Sequence, residues 1–161
     1  VARRATLRDG ARTIDLHWFG RGNTRGDLVI HIPSERIVAT GDLIVWPMPF
    51  AFLSYPTEWV SVLDSIKALQ PAMLVPGHGP VMRDLGYLNT VQGMLVEARR
   101  EARDAASRGL TGDSLVNVVT LENMRNKIAG DDKWMKLMFG MFFRRPVLGR
   151  FYEEAKSGTL K

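Results

Sequence analysis

The sequence contains no cysteine, and that absence excludes disulfide scaffolds, thiol nucleophiles and cysteine-ligated metal or iron–sulfur centres. Histidine is scarce: His17, His31 and His78 are the only three in 161 residues. No apolar run approaches the ~20 residues of a membrane-spanning helix. Val1–Gly10 carries Arg3, Arg4 and Arg8 without an apolar core, so as it stands it is not a signal peptide, and the compartment stays open. There is no internal repeat and no low-complexity segment. With 24% charged and 45% apolar residues, disordered and collagen-like classes fall away. The net charge of +5 is mild. Its arginines and lysines are spread along the chain among acidic residues, which describes a solvated surface. Neither nucleic acid nor a membrane is expected as a partner.

What is present suits one domain over residues 1–161, with a β-rich part (1–80) and a helical part (81–161). Short β-rich runs are expected at Thr13–Phe19, Asp27–Ile32, Arg36–Thr40, Leu43–Trp46 and Ala72–Val75. Thr57 is the expected N-cap of a helix reaching Leu69, since Trp59, Val60, Leu63, Ile66 and Leu69 recur at helical spacing. Further helices are expected over Leu85–Arg108, stopped by Gly109, over Thr120–Ala129, and over Trp134–Phe143 behind Asp131 or Asp132. A last one begins near Pro146 and runs toward Ala155. The Met- and Phe-rich run Met135–Phe143, flanked by Lys and Arg, reads as helix packing in preference to a membrane-surface helix. The strands present apolar residues on both faces. The sheet should therefore be covered twice, and the helices supply one cover.

Three loop clusters follow predicted strands and put polar, metal-capable residues beside glycine: Gly20-Arg21-Gly22-Asn23-Thr24, Thr40-Gly41-Asp42 and Pro76-Gly77-His78-Gly79. Their order and spacing, GRGNTRGDLVIHIP, VATGDL and LVPGHGPV, resemble the C-terminal half of the metallo-β-lactamase fold hydrolases. The resemblance implies an α/β fold: half of an αβ/βα sandwich, a mixed β-sheet followed by C-terminal helices. It also implies a site that holds two zinc ions in a complete domain, with Asp42 bridging both and His78 binding the second. Asn23 stands where that family has a histidine; it is either a weaker ligand or a residue that holds its loop. Phe50, Phe52 and Tyr55, in the loop after Gly-Asp, are placed at a substrate entrance by the same resemblance.

The family's His-x-His-x-Asp-His motif is absent. His17 and His31 match no ligand position of the family and read as ordinary sheet-surface or interface residues. The expectation is a zinc hydrolase represented by its C-terminal portion, with weak or absent zinc binding by the chain alone. A small molecule would be the substrate of the complete enzyme. The alternative is a non-catalytic half-domain, an assembly module from a truncated gene. Either way the uncovered sheet face calls for a partner: a second copy in a homodimer, or the missing N-terminal half-domain.

Overall fold

The computed structural model describes residues 3–157. One five-stranded sheet runs in the order β1 (Arg4–Asp9), β2 (Arg12–His17), β3 (Val29–Ile32), β4 (Ile37–Val45), β5 (Met73–His78). The first three pairings are antiparallel and β4–β5 is parallel. The parallel pair needs a crossover, which α1 (Pro56–Ala68) provides. The β1–β2 hairpin turns on Gly10-Ala11, where Gly10 takes φ +57° at no steric cost.

After β5 the chain is helical: α2 (Gly86–Ser107), α3 (Gly112–Val118), α4 (Glu122–Ala129), α5 (Lys133–Met138), a π-helical segment (Phe139–Arg144) and α6 (Arg145–Lys156). Asp132 caps α5, its carboxylate accepting from the Trp134 and Met135 amides. Phe139 and Phe143 of the Met- and Phe-rich run enter the core with Leu148 and Phe151, while Leu137 and Met141 of the same run are half exposed.

The strand alternation sets the layers. One sheet face carries Val29, Val38 and Leu74, each no more than 1% exposed, and packs against Trp59, Leu63 and Ile66 of α1 and Leu88, Val91 and Leu95 of α2. The other face is also apolar, yet it contributes nothing to that core. Cross-strand registers line up Ala5, Leu16, Ile30, Ala39 and Val75 in one row, and place Leu7 opposite Ile14 and Ile32 opposite Ile37 and Met73 in the next. All ten are half-buried or exposed. Among the described residues, no helix covers them.

Several boundaries differ from expectation for identifiable reasons. Leu43–Trp46 is no separate strand: β4 continues through Gly41, which takes φ +51° at an irregularity in the β4–β5 register. β5 runs on through Pro76 because it is an edge strand, where a missing N–H is tolerated. The N-cap of α1 is Tyr55, with Pro56 in its first turn. Thr57 instead donates its hydroxyl to Glu154 Oε2 (2.6 Å), tying α1 to α6.

Glu154 is buried, and burial raises its carboxyl pKa against the lowering effect of the Thr57 bond. A raised carboxylate favours folding below its unfolded value and loses that contribution as pH climbs through the folded one. Glu154→Gln keeps an acceptor for Thr57 and removes the buried charge. We expect the variant to melt higher than the parent at pH 7–8, with the gap closing toward pH 4.5 in thermal scans across pH.

Candidate metal centre

β4 and β5 run parallel and side by side, and their C-terminal ends bring Asp42 and His78 together. Asp42 Oδ1 lies 3.6 Å from His78 Nε2. Glycine makes this approach possible. A Cβ on Gly77 would fall 2.1 Å from Asp42 Oδ1, 2.7 Å from the Gly41 carbonyl carbon and 2.9 Å from the Asp42 nitrogen. Gly79, at φ +101°, sits against Trp46, where a Cβ would come within 2.6 Å of the Trp46 Cβ. The Trp46 amide donates to the His78 carbonyl (3.0 Å), and the Tyr87 hydroxyl donates to the Val45 carbonyl (2.7 Å). Burial holds the Tyr87 phenol above its ordinary pKa, so it remains a donor.

Asp42 and His78 open into a depression of about 290 Å³ whose walls include Trp46, Pro47, Phe50 and Met138. A wider one of about 550 Å³ shares Trp46 and Pro47 and continues over Tyr87, Met124, Lys127 and Met135. Of the aromatic trio in the loop after β4, Phe50 lines the smaller depression. Phe52 lies near Phe142, with ring centroids 6.1 Å apart, and Tyr55 lies under the guanidinium of Arg21 at 4.3 Å.

The loop after β2 is anchored twice. Arg21 donates to Glu58, and Thr24 donates to Asp27 through both its amide (2.8 Å) and its hydroxyl (2.7 Å). The Arg21 guanidinium holds the Glu58 carboxyl below its ordinary range. Gly22 packs on Leu43, the residue after Asp42, so closely that a Cβ would meet its side chain at 2.3 Å. Asn23, buried beside Gly22, does not line the depression.

As a zinc site, Asp42 and His78 are two donors of suitable chemistry at a compatible distance. No third His, Cys, Asp or Glu joins them among the described residues. Catalytic zinc takes three protein ligands, so the pair by itself does not make up such a site.

A second convergence was not foreseen. Asp15 and His17 alternate onto the helix-side face of β2, and His31 on β3 stands directly opposite Asp15. One ligand atom from each of the three lies within 4.8 Å of the others. His17, expected as a sheet-surface or interface residue, is buried under the helix side of the sheet at 9% exposed, with its ring stacked on Phe19 at 5.0 Å. Desolvation, reinforced by the nearby Arg4 and opposed by Asp15, lowers its pKa and so favours the neutral imidazole. Asp15, 3% exposed, accepts from the Thr6 hydroxyl (2.6 Å) and from Arg4 Nη2 (2.9 Å), and these bonds hold its carboxyl below the ordinary value.

No family model matches this sequence, and no curated protein matches it. Solved structures do. A metallo-β-lactamase from Pontibacter korlensis superposes at a TM-score of 0.53 with 20% identity, covering 60% of this chain and 47% of its own. The DIM-1 metallo-β-lactamase exposed to ceftazidime gives 0.53 with 19% identity, over 60% and 46%. A double mutant of the sec-alkyl sulfatase PisA1 gives 0.68 with 12% identity, over 96% of this chain and 26% of that one. The sulfatase match takes in the helices as well as the sheet. The chain thus spans under half the length of these lactamases and about a quarter of the sulfatase. Over that length, this chain has the metallo-β-lactamase fold.

Proposed function

We propose that this chain is part of a metal-dependent hydrolase of the metallo-β-lactamase fold, in which Asp42 and His78 hold zinc and a further segment supplies the remaining ligands. The observation that carries the reading is the 3.6 Å approach of Asp42 Oδ1 to His78 Nε2, at the adjoining ends of two parallel strands, in this fold. Two ligands give weak binding, so hydrolysis is a property of the completed assembly. A small-molecule substrate would lie in the depression over Trp46, Pro47 and Phe50. Alkyl sulfates belong among the trial substrates beside lactams, thioesters and phosphodiesters, because the sulfatase structure superposes on almost the whole chain.

Zinc titration followed by NMR tests the pair. The His78 imidazole resonances should move with zinc, and Asp42→Ala should weaken that response at least tenfold. A His78 response that is the same with and without Asp42 would overturn the reading.

A second reading, an assembly module without chemistry of its own, is favoured by the bare apolar sheet face. The two readings share one consequence. That face is where a partner packs, either the completing half-domain or, for the chain alone, a second copy of itself.

A further inference from the structure

We propose that Asp15, His17 and His31 form a binding site for a divalent first-row transition ion on the helix-side face of the β2–β3 hairpin, with none of its ligands shared with Asp42 and His78. Three observations carry this. The donor set comes first: two imidazoles and a carboxylate, one ligand atom each, already gathered within 4.8 Å. Two histidines and one carboxylate suit zinc, iron(II), cobalt or nickel and leave positions open for water.

The second is an unmet demand. His17 Nε2 is fully buried, in a side chain about nine-tenths buried, and has no hydrogen-bond partner among the described residues. Leaving such a nitrogen unpaired is unfavourable, because its desolvation is not repaid by a hydrogen bond. A metal ion held by His17 would meet the demand of this buried imidazole, whose neutral form is the one that binds metal.

The third is preorganisation. The stacked Phe19 ring fixes the plane of His17, while Thr6 and Arg4 fix the carboxylate of Asp15. This is how groups around a metal site orient its ligands. An ionised carboxylate offers about four lone-pair positions, and these two bonds use only two of them. Register does the rest, since antiparallel pairing sets His31 opposite Asp15 and leaves His17 on its diagonal, with the two imidazole centroids 6.1 Å apart. The Arg4 charge opposes a cation, so the site is expected to bind in the micromolar range and not tighter.

The test uses the chain carrying His78→Ala, freed of metal by chelation, so that Asp42 and His78 do not contribute. Calorimetric titration with zinc should show one ion per chain, and cobalt(II) should develop visible bands of a nitrogen–oxygen site. His31→Ala alters a half-exposed position and is expected to fold; it should weaken zinc binding at least tenfold. His17→Gln should do the same and abolish the cobalt bands. A zinc-induced rise in melting temperature should appear in the His78→Ala chain and be missing from the His31→Ala double variant, which provides a check independent of the titration. Absence of zinc binding at 100 µM in the His78→Ala chain would overturn the proposal, as would an isotherm unchanged by His31→Ala. In either case the Asp42–His78 reading stands or falls separately on its own NMR response.

Discussion

Gly77→Ala is expected to cost the fold about 1–3 kcal/mol, in the range of overpacking, and to abolish the zinc response of His78. The added methyl would lie 2.1 Å from Asp42 Oδ1, and that carboxylate can swing away because it is half exposed. The other two contacts cannot yield so easily. At 2.7 Å from the Gly41 carbonyl carbon and 2.9 Å from the Asp42 nitrogen, the methyl meets backbone. β4 and β5 must then separate where they deliver Asp42 and His78. The control is Gly26→Ala, on an exposed loop with open space around the position, which should change neither melting temperature nor zinc response. Equal behaviour of the two variants would mean that close β4–β5 approach does not assemble the pair.

The same strands show what could be read in advance. Asp42 and His78 were legible because each follows a short apolar run and sits beside glycine, a local signal. The faces of β2 and β3 were legible too, since alternation alone puts Asp15 and His17 on one side. The Asp15–His17–His31 cluster was not. It depends on register, and the connection between β2 and β3 is too long to fix one from turn geometry. β1 escaped because RATLRD carries three charges and a single large apolar residue, Leu7, and is exposed throughout, so its strand character rests on its pairing with β2. The short helix α3 escaped although Thr111 and Ser114 stand at capping-box spacing, with the Ser114 hydroxyl accepting from the Thr111 amide at 3.0 Å. In each case the deciding partner lies on a neighbouring strand or in a backbone bond that pattern alone does not specify.

Ile30→Asp should convert a self-associating chain into a monomer. Ile30, 41% exposed, stands in mid-row between Leu16 and Ala39 on the bare sheet face, and Leu7 and Leu28, each 53% exposed, extend the same apolar surface. Contiguous exposed apolar surface of this kind marks a site of interaction. Covering several hundred square ångströms at ~25 cal/mol per Å² contributes on the order of 10 kcal/mol before the costs of association. A two-fold contact buries the patch on both copies, so roughly twice that stands against the ~4–15 kcal/mol that association costs, and the balance brackets the ~8 kcal/mol of a micromolar dimer. A two-fold axis lets one face cover its own copy, and apolar rows crossing five strands offer both copies the same surface. A charge at the centre of that contact would be buried without a partner, at a cost of several kcal/mol, while in the separated chain it would face water. Light scattering with the parent chain should therefore report about twice 18.1 kDa, and with Ile30→Asp about 18.1 kDa at an unchanged helical content. Arg8→Asp, a charge change on β1 outside both apolar rows, should leave the dimer intact. A parent chain that is monomeric at 50 µM and well folded would reject self-association; the sheet face would then have to be shown to bind a different segment.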